Sequence, residues 1–183
     1  VDHEDRKARI ADQLEQVAAT KQLQPVLDDN LLDEVTGLVE WPNVIMGQIE
    51  TEFMSLPPEV LVTSMRVHQK FFALSKKEAK ENLAPFFMTV TNRRSDLAND
   101  KLIAAGNERV LRARLTDAKF FYEQDKKTTL DSLAEKLEVI TFYEGLGSVA
   151  DKAERMAALA GAIANHLDAA DPGTARRAAV LAL

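Results

Sequence analysis

Apolar positions repeat at helical spacing from Asp2 to about Gln22, where Ile10, Leu14, Val17 and Ala18 form one stripe of a charged segment. Pro25 interrupts it. A shorter helix follows, with Asp29 or Asn30 as its cap and Leu31, Leu32, Val35, Leu38 and Val39 facing inward, and it ends before Pro42. From Val44 to Phe53 the pattern alternates instead. Ile45, Gly47, Ile49, Thr51 and Phe53 point one way and Gln48, Glu50 and Glu52 the other, which predicts a strand with one wet face.

The stretch Leu56–Leu74 is the centre of the pattern. Pro57 and Pro58 open a helix, because the first helical N–H groups lack intrahelical acceptors, and Glu59 sits at the positive end of the dipole. Val60, Leu61, Ser64, Met65 and His68 follow at helical spacing. After Lys70, the run Phe71–Leu74 suits a buried strand, and Phe86–Val90 suits a second one. The polar connection Ser75–Asn82 makes the pair a hairpin, although it holds no tight-turn dipeptide. Charge then appears abruptly at Arg93 and Arg94. Asp96, or Asn99 with Asp100, caps a helix or helix pair from about Leu97 to Phe121, with its stripe on Leu111, Leu115, Ala118 and Tyr122.

Lys126–Thr129 reads as a joint. Beyond it come a helix over about Leu130–Leu137, a β-prone run Val139–Tyr143, and a break at Gly145-Leu146-Gly147. Ser148 and Asp151 then start a helix in capping-box fashion, carrying Met156, Leu159, Ala160, Ile163 and Leu167 on one stripe. Asp171-Pro172-Gly173 turns the chain and Thr174 caps a last helix. The fold class is therefore α+β: a body of mixed helix and short antiparallel sheet over residues 1–127, then the beginning of an all-helical domain over 128–183.

Composition narrows this picture. With 46 % hydrophobic and 28 % charged residues, the 183-residue chain has the make-up of a folded globular protein of one domain or a domain and a half. No apolar run approaches a membrane span and nothing at the start reads as a signal peptide. The absence of cysteine excludes disulfides, thiolate metal sites and cysteine nucleophiles, and agrees with a cytoplasmic location. The start at Val1 and the stop inside an amphipathic pattern with no C-cap signal give the expectation of an internal segment of a longer protein. Net charge is −6 but unevenly spread. Residues 1–59 carry four basic and thirteen acidic side chains, 60–127 fourteen and eight, and 128–183 five and eight. Only the middle third has the local field for a polyanion.

Candidate chemistry is sparse. The three histidines, His3, His68 and His166, form no HExxH, His-Asp doublet or metal cluster; His166-Leu167-Asp168 has the wrong spacing. Ser64 lies one turn before His68, with no oriented base or oxyanion site in view. Gly145-Leu146-Gly147 lacks the lysine and the preceding buried strand of a phosphate loop. His68, Gln69 and Lys70 end the central helix, where cations suit the dipole, or else present a turn to a partner. The best nucleic-acid candidates are Arg93, Arg94, Lys101, Arg109, Arg112, Arg114 and Lys119, since guanidinium forks match phosphate. Glu108 with Arg112, and Arg114 with Asp117, are spaced to pair on the helix, so intramolecular pairing competes with that reading. Phe120, Phe121 and Tyr122 are either a helix-end cluster or a stacking surface. Trp41 suits a helix–strand junction. Glu40, Glu50 and Glu52 are either an acidic subunit contact or a solvated face.

Four blocks in order, LVEWPNVIMGQIETEF, LPPEVLVTSMRVHQKFF, GNERVLRARLTDAKFF and LGSVADKAERM, resemble the bacterial glycyl-tRNA synthetase β subunit of the two-subunit type. They span about Leu38 to Met156. The resemblance implies an internal segment of that subunit, and a helical domain of the HD-phosphohydrolase type opening after the last block. It implies no cofactor and no catalytic or metal residue in this segment. ATP and Mg²⁺ would be used by the complete enzyme, with glycine activated on the α subunit. The implied partners are the α subunit and tRNA-Gly, in a cytoplasmic α2β2 assembly without membrane contact. His68 and Lys70 join the seven basic residues as candidate tRNA contacts. The alternatives are a scaffold for α–β or β–β association that does not touch RNA, and a stand-alone hydrolase around His68.

Overall fold

Helix α1 (His3–Ala19) carries Ile10, Leu14 and Ala18, all fully buried, on the stripe its spacing predicts. These residues belong to a computed structural model that describes residues 2–77, 79–167 and 171–182, with the backbone alone at 79–81. Where the sequence predicts only a break at Pro25, the chain forms a short strand, β1 (Leu23–Pro25). Proline is tolerated there because β1 is an edge strand, pairing on one side only, with β3. Helix α2 (Asp29–Leu38) is capped by Asp28, one residue ahead of the expected cap, through a 3.0 Å bond from Leu31 N–H. Leu31, Leu32 and Val35 are buried, but Leu38, expected inside, is 65 % exposed. The helix stops there, and extended Val39 takes the core position in its place.

Strands β2 (Pro42–Gln48), β3 (Phe72–Lys76) and β4 (Ala79–Asn92) complete an antiparallel sheet in the order β1-β3-β4-β2. The expected hairpin is β3–β4. Its second strand starts at Ala79, inside the stretch expected as a polar loop, of which Glu78 lies outside the described residues. Strand β2 is shorter than the alternation over Val44–Phe53 predicts. Ile49 N–H still reaches Pro85 O at 2.9 Å, but Pro85 has no N–H to return, so the ladder ends. The chain then coils into a 3-10 turn, Thr51–Ser55, that buries Phe53.

Alternation along the strands gives the sheet two apolar faces. Val44, Phe72, Leu74, Ala84 and Met88 pack with α1 and α2. Ile45, Phe53, Leu61, Met65, Phe71 and Phe87 are buried outside that cluster. On this second side Phe87 stands opposite Gly47 on β2 and Ala73 on β3, and its ring stacks on Phe71 with centroids 4.5 Å apart. The space is complete: a Cβ on Gly47 would lie 2.3 Å from the ring.

Helix α3 (Pro58–Thr63) begins at the expected prolines and runs into a wider π turn, Ser64–His68. Lys70 closes it in the left-handed region, φ 56°, so that Lys70 N–H bonds Arg66 O and Phe71 N–H bonds Met65 O at 3.1 Å. Helix α4 (Leu97–Asp125) is one helix of 29 residues, where one helix or a pair is expected. Asp96 accepts from Ala98 N–H and from the Asn99 side chain, and Asp100 accepts from Asp96 N–H. The Asn99 bond, ahead of the backbone bond, holds the Asp96 carboxyl below its ordinary value.

The chain divides into two compact units, residues 1–121 and 122–183, and the division falls within α4. The second unit holds α5 (Leu130–Ala134), a 3-10 turn, the small hairpin β5 (Thr141–Tyr143) and β6 (Gly147–Ser148), α6 (Val149–His166) and α7 (Pro172–Leu181). The Ser148–Asp151 capping box is formed as expected. The last helix starts earlier than expected, at Pro172, with Asp171 as its cap in place of Thr174. Helices α6 and α7 meet through small residues: Ala153, Ala157, Gly161 and Ala164 are buried, and Arg176 lies across Gly161. The large stripe of α6 faces outward, with Leu159 62 % and Leu167 59 % exposed. Arg177 grips Asp131 of α5 with bonds of 2.5 and 2.6 Å.

Two outcomes follow from this packing. Gly47→Ala should destabilise the chain by about 1–3 kcal/mol through overpacking against Phe87. Gly106→Ala, with open space at its Cβ inside α4, should stabilise it by roughly 0.5–1 kcal/mol; urea unfolding midpoints check both. Asp131, Asp151 and Asp171 are also held below the ordinary carboxylate value, chiefly by bonds from Arg177, Ser148 and Thr174. Depressed carboxyls stabilise the fold above about pH 4 and lose that contribution as pH falls through their lowered values. Thermal melts should therefore show a loss on acidification below about pH 4 that Asp131→Asn makes shallower.

Candidate nucleic-acid interface

The basic side chains of the middle third fall into separate groups because α4 lies along the outer edge of β2. Three side chains fasten that edge. Gln13 of α1 donates to Pro42 O at 3.2 Å and accepts from Val44 N–H at 3.0 Å. Asn43 donates to Asp100 at 3.2 Å, and Gln48 N–H donates to Glu108 at 2.8 Å. Glu108 is thus spent on the strand backbone and does not pair with Arg112 as helix spacing suggests.

At this end of α4, Arg112 pairs with Glu50, and Lys119 with Glu52 at 2.8 Å. Lys119 also sits 5.8 Å from the centre of the Phe53 ring. The two glutamates read as the wet face of a strand because they alternate. In the structure the strand has ended and the 3-10 turn aims them at α4. They line a shallow cleft of about 520 Å³ with Phe53, Glu108, Arg112 and Leu115, and its charges are already matched.

The other end of the helix is different. Pro42 and Asn92 are partners in the β2–β4 ladder, so Trp41 and the pair Arg93, Arg94 leave the sheet side by side. Asn92 Oδ1 accepts from Glu40 N–H at 3.1 Å and Trp41 N–H at 2.8 Å, which fixes the approach to β2. Arg94 lies over the Trp41 indole, 5.1 Å from its centre. Arg9 of α1 lies over the same ring at 5.0 Å, placed one helical turn before the pinned Gln13. Among the described residues neither guanidinium has a carboxylate partner. Trp41 is 40 % exposed, and Lys101 is exposed on the next turn of α4.

Arg109 and Arg114 are exposed and without ion pairs among the described residues. Five residues apart, they point about 140° away from one another. About 16 Å of helix separates Lys101 from Arg112. At the end of the π turn, Lys70 is tied to Glu34 of α2 at 2.8 Å and Arg66 to Asp28 at 2.6 Å. His68 is exposed, and Ser64 does not hydrogen-bond to it. Phe120 and Phe121 meet edge to face and are both more than half exposed.

The family described as glycyl-tRNA synthetase beta subunit matches the chain over residues 1–183. The chain belongs to that family. It is 45 % identical over 172 residues to the glycine–tRNA ligase beta subunit of Natranaerobius thermophilus, covering 94 % of this chain and 24 % of that protein. The corresponding figures for the Coxiella burnetii (strain Dugway 5J108-111) protein of the same name are 44 % over 180 residues, 98 % and 25 %, and for that of Bacillus subtilis 46 % over 164 residues, 90 % and 24 %. The chain thus spans about a quarter of the length of these relatives.

For this member of the glycyl-tRNA synthetase beta subunit family, sequence reasoning names Arg93 and Arg94 but passes over Arg9 and Gln13. Their link to Trp41 and β2 is tertiary, and the one available signal was that Arg9 and Gln13 share a helix face. The role of Glu108 at the β2 edge is directly testable. Glu108→Ala should speed hydrogen exchange at the Gln48 amide and lower stability by about 1 kcal/mol, read by NMR and urea unfolding.

Proposed function

We propose that the chain is a segment of the β subunit of a glycine–tRNA ligase and that its first unit helps hold tRNA while glycine is attached. The observation that carries this reading is Arg94, set over Trp41 with no salt bridge among the described residues, with Arg93 next to it in the chain and Lys101 exposed on α4, in a chain of this family. Arg112 and Lys119 contribute less, because Glu50 and Glu52 balance them. ATP-dependent aminoacylation is assigned to the α subunit, tRNA-Gly and that subunit are the partners, and the whole is a cytoplasmic α2β2 enzyme.

The acidic residues of the cleft do not suit Mg²⁺. The acidic side chains that line the cleft, Glu50, Glu52 and Glu108, are each held by Arg112, Lys119 or Gln48 N–H and offer no free carboxylate pair to a cation. What the geometry offers is positioning: fixed positive charge on a rigid helix-and-sheet body, suited to phosphates whatever the sequence of the RNA.

A second reading, association without RNA, is favoured by a different observation. The apolar stripe Met156, Leu159, Ile163 and Leu167 of α6 is exposed, as a surface that meets another protein would be. The two readings concern different units and can both hold.

Binding of tRNA-Gly across a salt series separates them. Arg93→Ala/Arg94→Ala should flatten the slope of log affinity against log salt by about two, whereas Arg112→Ala/Lys119→Ala should leave it nearly unchanged. Absence of binding at low salt would leave the association reading alone.

A further inference from the structure

Most cations of the first unit that meet another element do so through a carboxylate: Lys7 with Asp33, Arg66 with Asp28, Lys70 with Glu34, Arg112 with Glu50, Lys119 with Glu52. Arg6 also reaches the Thr36 carbonyl and Lys21 lies over the Phe86 ring, but Arg9 and Arg94 depart from the pattern together. They come from α1 and from the end of β4, and what they share is one indole. Their centres lie within about 5 Å of the ring, so they are at most about 10 Å from each other, two like charges with no anion between them. Exposed cation–π contacts offset only about 0.5–1 kcal/mol each. Among the described residues no carboxylate forms a salt bridge with either arginine, Asp12 on α1 included. Asp96 is held by Ala98 N–H and Asn99, and Asp100 by Asn43 and Ser95; Asp5 and Glu40 make no ion pair with either arginine. The indole N–H of Trp41 has no acceptor among the described residues, which leaves a third donor at the same place.

From this we infer that Arg9, Trp41 and Arg94 form a clamp for the phosphodiester backbone of RNA, with Trp41 as the positioning residue that aims both guanidinium forks. The inference rests on the reading of the first unit as a tRNA contact and adds to it a specific place and two residues, Arg9 and Trp41. An RNA strand suits the clamp better than an acidic peptide. Two planar forks match phosphate oxygens in pairs, and Arg93, next to Arg94 in the chain, and Lys101, exposed at the start of α4, add positive charge for further phosphates of one strand. The framework is rigid: Gln13 pins α1 to β2 one turn beyond Arg9, and Asn92 pins Trp41 by its backbone. Closure on a ligand therefore needs only side-chain adjustment.

Trp41 is the sole tryptophan of the chain, so its fluorescence reports on this place alone. The experiment follows that fluorescence during titration of the 183-residue chain with tRNA-Gly, ATP, inorganic phosphate or polyglutamate, beside anisotropy of dye-labelled tRNA-Gly. The clamp predicts that tRNA changes the Trp41 signal at the concentration where anisotropy rises. It also predicts that Arg9→Ala flattens the salt slope by about one, as Arg94→Ala does. Trp41→Ala removes no charge yet should weaken labelled-tRNA binding, and Trp41→Phe should restore most of it by keeping an aromatic platform. Anisotropy without a Trp41 response, or an Arg9→Ala chain that binds like the parent, overturns the clamp and leaves tRNA contact standing elsewhere. No anisotropy change at low salt overturns the tRNA reading and the clamp with it. Saturation by ATP or inorganic phosphate alone at sub-millimolar concentration would make this a small-phosphate site, and a response confined to polyglutamate a protein-binding one; either overturns the RNA assignment. Urea unfolding of each variant separates loss of binding from loss of fold.

Discussion

The ring of Phe87 is fully buried between two neighbouring strands that offer it almost nothing at their facing positions, Gly47 on one side and Ala73 on the other. That space lets the ring lie close to the sheet and stack on Phe71. It follows that α3 and α4 can approach the sheet on this side while α1 and α2 cover the opposite one. A side chain at position 47 would lift the ring, and with it the layer that α4 needs in order to run beside β2. Lys101, Arg112 and Lys119 stand on that line of α4, so a requirement for glycine on an edge strand governs charge at the surface.

The edge of β2 shows how backbone chemistry is converted into tertiary order. Three outward backbone groups there are met by side chains from helices: Pro42 O and Val44 N–H by Gln13, Gln48 N–H by Glu108. Such bonds are modest one at a time, but they act on orientation rather than on total stability. A helix that must satisfy two groups of one strand has little freedom to rotate. Arg9 inherits its position from that constraint.

Much of the fold was legible from periodicity, and the exceptions share a cause. Helices α1, α2, α3, α4 and α6, the β3–β4 hairpin and the Ser148 capping box follow from spacing and cap chemistry within one segment. Strand β1 was not legible, because three residues containing a proline carry no pattern of their own and exist only by pairing with β3. The end of β2 at Gln48 was set by Pro85 on another strand, and the outward turn of Leu38 by the extended residue that replaced it in the core. Glu50 and Glu52 alternate as a strand would, yet belong to a 3-10 turn. Among the basic residues, composition gave the positive middle third and helix geometry gave its lack of a single stripe. Which cations meet carboxylates is a tertiary matter that no spacing rule decides.

The sheet has two free sides in the hydrogen-bonding direction, and both are interrupted. On one, Gln13, Asp100 and Glu108 occupy β2 along its length, with Asp100 acting through the Asn43 side chain. On the other, β1 is three residues long and ends in a proline that lacks a donor. Another polypeptide therefore finds only interrupted templates on which to add a strand. Recognition between this body and a protein partner is thereby biased toward side chains on helical surfaces, and the same arrangement hinders the strand-by-strand growth that leads to fibres.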